Sequence, residues 1–205
     1  VDTKGRPIDA AYAASRTRNE PLIEIKQLKG TSETHPLLSP NDEFASFELM
    51  SVLLGNPPGR IPHIIGSYAR QALKDGLIML DSKGFNPFKF GFVGSTDVHN
   101  SLMAIEEDNF FGKHLDQEPN AKRWEHPATK GLGKQRYNWQ FMAAGYAAVW
   151  ATENTREAIW DALKRKEVYG TTGPRMTLRV FGGWDFKAED LKSDWVKAGY
   201  SRGVP

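Results

Sequence analysis

Short apolar runs alternate with segments of helical periodicity along this chain, and this alternation restricts its fold more than any other feature. Residues 22–28 and 88–93 are short and apolar, which is typical of strands. Residues 68–81 carry alanine and leucine at spacings of three and four, and residues 154–163 open like a capping box before an apolar stripe. Residues 7–18 are rich in alanine and begin with proline, which also favours a helix. Strands that alternate with helices predict an α/β architecture with parallel strands.

Three further segments complete the outline. Residues 39–53 open with a pattern that resembles a capping box with proline at the first helical position, so we expect a helix there. Residues 176–181 alternate apolar and polar side chains, which predicts a half-buried strand. Residues 116–139 fit no period, and their length is typical of a functional or disordered loop. The tryptophans Trp124 and Trp139 favour an ordered flap, because disordered segments are poor in aromatic side chains.

Composition excludes several classes of protein. The chain has 205 residues, enough for one ordinary domain or two small ones, with 27 basic and 25 acidic side chains. This near balance argues against a polyanion-binding surface as the main function. Cysteine is absent, which excludes disulfide scaffolds, thiolate zinc sites and cysteine nucleophiles but leaves the cellular compartment open. No apolar run approaches the roughly 20 residues that span a bilayer. Because the sequence starts with valine and stops in Gly-Val-Pro, we expect a piece of a longer protein.

The most informative segment follows the second predicted strand. Residues 92–100 bring a strand to its end at glycine, continue with two small hydroxyl residues and reach Asp97 and His99. In parallel α/β folds the ligand site lies beyond the carboxyl ends of the strands. Side chains two residues apart in extended backbone point to the same side, so this carboxylate and imidazole can share one metal ion. The alternative is that Asp97 caps the next turn and His99 is a surface residue.

The run Gly94-Ser95-Thr96-Asp97-Val98-His99 resembles the last metal-binding motif of the PHP (polymerase and histidinol phosphatase) superfamily, usually Gly-Ser-Asp-x-His. Over nearly its whole length the chain is similar to one PHP-like bacterial family, domain-of-unknown-function family 3604. The segments that carry this similarity are 20–25, 29–33, 35–36, 38–44, 86–91, 107–113, 148–151 and 171–175.

The resemblance implies a distorted (β/α)7 TIM-type barrel that holds two or three divalent metal ions, zinc, manganese or iron, and that often hydrolyses phosphoesters. The first motif of the superfamily is His-x-His, which this chain lacks. Its histidines are His35, His63, His99, His114 and His126. The chain therefore resembles the C-terminal portion of such a barrel, a single partial domain over residues 1–205 without the N-terminal metal-binding strands. We expect its metal site to be incomplete, because a two-metal hydrolytic site needs more ligands than Asp97 and His99.

Other residues are candidates for catalysis or substrate binding. Glu33 and His35 follow the first predicted strand and are candidates for an acid, a base or a further ligand; the alternative is a loop glutamate and a His-Pro turn. Arg175 follows a Gly-Pro turn and is a candidate for binding a phosphate or carboxylate, and Lys29 and Lys113 are weaker forms of the same hypothesis. His126 lies in the irregular loop, where it either contacts substrate or belongs to a surface segment anchored by aromatic residues.

Two functions compete on these observations. The first is a metal-dependent hydrolase, most plausibly of phosphoesters, in which a metal-activated water attacks a small anionic substrate. The second is a non-catalytic ligand-binding or structural module with an incomplete metal site. The expected partner is the missing N-terminal half of the domain, and self-association is left open. Nucleic acid and membrane are not expected as partners.

Overall fold

The computed structural model describes residues 1–2, 4–49, 52–53, 59–60, 64–102, 107–114, 117–129, 136–141 and 145–203. Two compact units are found, Val1–Pro174 and Arg175–Pro205. The helices are α1 (Ala10–Asn19), α2 (Ala69–Lys83), α3 (Arg156–Arg165) and α4 (Trp195–Arg202). The strands are β1 (Leu22–Gln27), β2 (Gly30–Thr31), β3 (Val52–Leu53), β4 (Gly59–Arg60), β5 (Gly91–Gly94), β6 (Pro127–Thr129), β7 (Arg136–Tyr137), β8 (Tyr146–Val149) and β9 (Val168–Thr171).

A parallel pair of strands forms the centre of the first unit. β1 and β5 run parallel, with Ile23 opposite Phe92 and Glu24 opposite Val93. After a two-residue turn β2 folds back antiparallel on β1, so the sheet order is β2-β1-β5. Helices and small sheets thus alternate in an α/β arrangement, and the described residues form no closed barrel. Membership of a TIM-type barrel therefore stays a prediction.

A second small sheet packs closely against β5. β8 and β9 pair antiparallel, and α3 connects them. A Cβ atom placed on Gly170 of β9 would lie 2.8 Å from the amide nitrogen of Gly94 in β5, which is closer than real Cβ atoms come to a backbone. Glycine at this position therefore allows the two strand backbones to approach. The sequence did not predict β8 or β9 as strands.

The helices begin and end at the residues that local chemistry favours. The side chain of Asp9 accepts a hydrogen bond from the amide of Tyr12 (2.8 Å), so α1 begins three residues after the predicted proline start. α2 ends at Gly84, whose φ of 76° is left-handed. α3 is capped by Thr155, which accepts from the amide of Ala158 (3.3 Å), as its capping-box pattern predicts.

Two predicted elements are absent from the described residues. The helix expected over residues 39–53 is instead a series of turns up to Glu48, and residues 50–51 and 54 lie outside the described part. Glu48 has a φ of 46°, which ends any right-handed helix at that point, and Phe44 and Phe47 are exposed rather than packed on a helix face. The strand expected over residues 176–181 is irregular chain in the described structure and belongs to none of its sheets.

The irregular segment after β5 closes over a small core. Leu28, Phe110 and Phe141 are buried against one another, and Val98 packs on them. Within the predicted loop of residues 116–139, the short strands β6 and β7 pair, while Trp124 and Trp139 are exposed; residues 116 and 130–135 lie outside the described part. Among the described helices, none combines the length and the apolar character that crossing a bilayer requires.

Candidate functional site

The ends of β1 and β5 bring together residues that are far apart in sequence. Because the two strands are parallel, their carboxyl ends lie at the same edge, and the ladder continues where the amide of Ser95 donates to the carbonyl of Lys26 (2.9 Å). Lys29 lies in the turn after β1, and Asp97 lies three residues beyond β5. The motif that the sequence singled out therefore faces the first strand turn, as a site at a strand end requires.

The carboxylate of Asp97 is the centre of a group of four side chains, Lys29, Asp97, His99 and Lys113, which we name the Asp97 cluster. Its Oδ2 atom pairs with the ammonium groups of Lys29 and of Lys113, the latter at 2.6 Å. Its Oδ1 atom lies 2.9 Å from Nε2 of His99. Nζ of Lys113 also donates to the backbone carbonyl of Asp97 (2.7 Å) and lies 3.0 Å from Nε2 of His99. The structure thus brings together four residues that the sequence analysis named as candidates.

The backbone around Lys113 fixes the position of its side chain. Gly112 has a φ of 86°, and a Cβ atom on it would lie 2.5 Å from the carbonyl oxygen of Gln117, so the loop requires glycine here. The buried side chain of Gln117 accepts a hydrogen bond from the amide of Lys113 (3.1 Å). The carbonyl of Lys113 accepts from the amide of His99 (2.8 Å), which ties this loop directly to the Asp-x-His motif.

The two lysines keep Asp97 ionised. Burial by itself would raise the pKa of Asp97, but the hydrogen bonds from Lys113, Lys29 and His99 outweigh it and hold that pKa well below the usual range of an aspartate. Burial lowers the pKa of Lys113, and its hydrogen bond to Asp97 opposes this effect. Two lysines share one carboxylate, so the cluster carries more positive than negative charge.

Two side chains of the cluster are of a kind that can ligate a metal ion. A carboxylate oxygen and an imidazole nitrogen converge at Asp97 and His99, which are suitable donors for zinc, manganese or iron. In the described part of the chain, no group of three or more histidine, aspartate or glutamate side chains is arranged to hold a metal. The ammonium of Lys113 also contacts both candidate ligands. A metal bound here would therefore have to displace this ammonium and would need ligands from elsewhere.

The predicted acid–base pair has other partners. Glu33 pairs with the guanidinium of Arg70, which also donates to Asp42 (2.6 Å). Nδ1 of His35 accepts from a backbone amide two residues on (3.2 Å), and its ring packs on Tyr68 at a centroid distance of 5.6 Å. The contacts described for these two side chains do not include the Asp97 cluster, and their catalytic role stays a prediction.

The last two candidates for substrate binding are His126 and Arg175. His126 is exposed at the start of the β6 segment, where its backbone bonds to Lys122 and Asn138. Arg175 is exposed and is the first residue of the second unit. Substrate binding by either residue stays a prediction.

Sequence reasoning missed Lys26, a buried charged residue on β1. The side chain of Lys26 is 1% exposed, pairs with the carboxylate of Glu48 and lies 5.5 Å from the ring centroid of Phe47. Burial lowers the pKa of Lys26 to about 8. The sequence does contain a signal for this burial: within the strand predicted over residues 22–28, Lys26 lies on the same face as Leu28, which is part of the core.

Comparisons with known proteins assign the chain to a family without assigning an activity. A search of curated proteins finds no match, and a search of solved structures finds none. The family model described as "Protein of unknown function (DUF3604)" matches residues 1–205, the whole length of this sequence. The chain therefore belongs to the DUF3604 family.

Proposed function

We propose that this chain is part of a PHP-like, metal-dependent hydrolase of bacterial origin that acts on small phosphoesters. The observation that carries the proposal is the convergence of a carboxylate and an imidazole, Asp97 and His99, at the carboxyl ends of two parallel strands. This is the position at which α/β folds place their ligand sites. The similarity of the Asp-x-His run to the last PHP motif supports the same proposal, which includes a barrel fold for the parent protein.

In this proposal Asp97 and His99 hold one side of a divalent metal centre, with zinc, manganese or iron as candidates. When bound, such an ion supplies Lewis acidity and lowers the pKa of water. The other ligands come from polypeptide beyond the described residues, in keeping with the N-terminal half that the family resemblance implies. Arg175 and His126 remain candidates for substrate contact, and Glu33 and His35 for acid–base work, each as a separate hypothesis.

A specific observation favours a second candidate, a binding module without catalysis. Asp97 is already neutralised by Lys29 and Lys113, and the described residues offer no third metal ligand beside it. A chain of this kind would hold a small anionic ligand and leave chemistry to other proteins. The two candidates differ in what they predict for metal binding.

The test measures metal affinity and turnover. The chain is stripped with a chelator and titrated with Zn²⁺ and Mn²⁺ against a chromogenic competitor, and hydrolysis of p-nitrophenyl phosphate is followed with each metal. We expect Asp97→Asn and His99→Ala each to weaken metal binding at least about tenfold, the loss expected for one ligand. Asp81→Asn, an exposed substitution on α2, serves as the matched control.

Equal metal affinity in the wild type and both ligand variants would reject Asp97 and His99 as ligands. Metal binding without turnover in this chain, followed by turnover in the longer parent protein, would support the proposal. Absence of both metal and turnover in the parent would support the binding module instead.

A further inference from the structure

The charge of the Asp97 cluster is not balanced. In the described part of the chain, the ion pairs of Lys29 and of Lys113 all go to the single carboxylate of Asp97. The lysine side chains are only 16% and 9% exposed, so water compensates little of the excess charge. A partly buried, uncompensated ammonium is unfavourable, and an anion that binds beside it removes that cost.

The hydrogen bonds of the two ammonium groups show where an anion would bind. Nζ of Lys113 has two acceptors on Asp97, the Oδ2 atom and the carbonyl oxygen, and lies 3.0 Å from Nε2 of His99, which cannot accept from it while donating to Oδ1 of Asp97. Nζ of Lys29 has one acceptor among the described residues, Oδ2 of Asp97. Lys29 therefore retains two N–H donors for a ligand, whereas Lys113 contributes charge.

Contacts around Lys29 hold this residue in place, unlike a lysine that moves freely on the surface. Its backbone amide donates to the side chain of Gln27 (3.1 Å) within the turn between β1 and β2. The ring of His99, which is half exposed, packs edge-on against His114 at a centroid distance of 4.7 Å. The described contacts thus combine a fixed donor, an excess of positive charge and a half-exposed imidazole beside them.

We propose that Lys29, supported by the charge of Lys113, binds the phosphate group of a phosphate monoester or inorganic phosphate. Two ammonium groups held on one carboxylate oxygen form a compact source of charge, which suits a tetrahedral dianion, whereas planar carboxylates are matched best by the fork of an arginine. The inference deepens the proposed function, on which it rests for the identity of the ligand as a substrate or product. It assigns phosphate recognition to lysines of this chain and does not require metal to be bound.

The test is a titration of the 205-residue chain with inorganic phosphate in the presence of EDTA, followed by calorimetry and by ³¹P NMR. We expect Lys29→Met to weaken phosphate binding at least about tenfold, Lys29→Arg to restore part of the affinity, and Lys113→Met to weaken it less. Lys74→Met, an exposed lysine on α2, is the matched control and should leave binding unchanged. Acetate serves as the planar anion and should bind at least about tenfold more weakly.

The inference is overturned if the wild type binds no phosphate, if a folded Lys29→Met variant binds it as well as the wild type, or if acetate binds equally. Circular dichroism checks that each variant is folded; among the described residues, the side-chain hydrogen bond of Lys29 goes to Asp97. Because EDTA is present, phosphate binding with no metal affinity in any form of the protein would refute the proposed hydrolase and leave this inference standing. Metal affinity without phosphate binding would refute this inference and leave the proposed hydrolase standing.

Discussion

Lys26 gives the sharpest quantitative prediction, because its side chain is buried on the central strand. Burial lowers its pKa to about 8, compared with about 10.4 for a lysine in an unfolded chain. Between these two values the unfolded state binds more protons than the folded state. The free energy of unfolding must therefore rise with pH across this window.

The size of the effect follows from the difference between the two pKa values. Each pKa unit corresponds to about 1.4 kcal/mol, so the difference sets an upper bound of about 3 kcal/mol. Glu48, the ion-pair partner, is 40% exposed, and water around its carboxylate stabilises the charged pair. We therefore expect the wild type to gain about 2 kcal/mol between pH 7.5 and pH 10, relative to a variant without this lysine.

The assay is urea unfolding of the wild type and of Lys26→Met at several pH values, followed by circular dichroism. Other groups titrate in the same range, and the difference between the two proteins removes their contribution. The matched control, Lys74→Met, should follow the wild type at every pH. A constant difference between the wild type and Lys26→Met from pH 7.5 to pH 10 would refute the account of Lys26 as a buried, charge-destabilised lysine.

Three other substitutions test the packing and the ion pairs by the same unfolding measurement. Gly145→Ala should cost about 3 kcal/mol or more, because φ is 85° and the new Cβ would lie 2.1 Å from a carbonyl oxygen; Gly173→Ala, with open space around it, should be nearly neutral. Arg70→Met removes two carboxylate pairs that are partly exposed and should cost about 1 kcal/mol; no measurable loss would mean that the pairs do not stabilise the fold. Asp97→Asn in EDTA should cost about 2 kcal/mol at pH 7. Because the pKa of Asp97 is lowered by folding, this cost should begin to shrink as the pH falls below about 4; a cost at pH 2.5 as large as that at pH 7 would contradict the assignment.

The sequence predicted correctly those helices whose apolar spacing and capping residues lie close together along the chain. α2 and α3 appear close to their expected bounds because their apolar spacing and caps are written in the sequence. The turns at residues 39–48 could not be distinguished from a helix, since Pro40 and Asp42 favour both. Two contacts of Asp42 favour the turns: its side chain accepts a local hydrogen bond from the amide of Phe44 (2.9 Å), and it accepts another from Arg70 on α2, which is a tertiary contact.

The strand expected over residues 176–181 shows a second limit of prediction from the sequence. Alternation of apolar and polar side chains describes a chain that can be half-buried in a sheet, but a strand exists only where a second strand offers hydrogen bonds. In the described structure this segment is irregular chain outside every described sheet, and Met176, Leu178 and Val180 are each more than half exposed. The sequence pattern therefore predicted a strand that the described structure does not contain.

The Asp97 cluster combines both cases in one site. Asp97 and His99 do lie close together just beyond the strand that precedes them, but the reason given from the sequence was wrong, because Asp97 has a left-handed φ of 55° and is not in extended backbone. Their electrostatic surroundings come from Lys29 and Lys113, which are 68 and 16 residues away from Asp97 in sequence. Lysines at that separation become partners only through the parallel pairing of β1 with β5 and through the glycine turn that presents Lys113. The Asp-x-His pattern in the sequence therefore predicts a metal ion, whereas the fold places the ammonium groups of two lysines beside the same carboxylate. Titration with phosphate in EDTA decides whether these ammonium groups bind an anion.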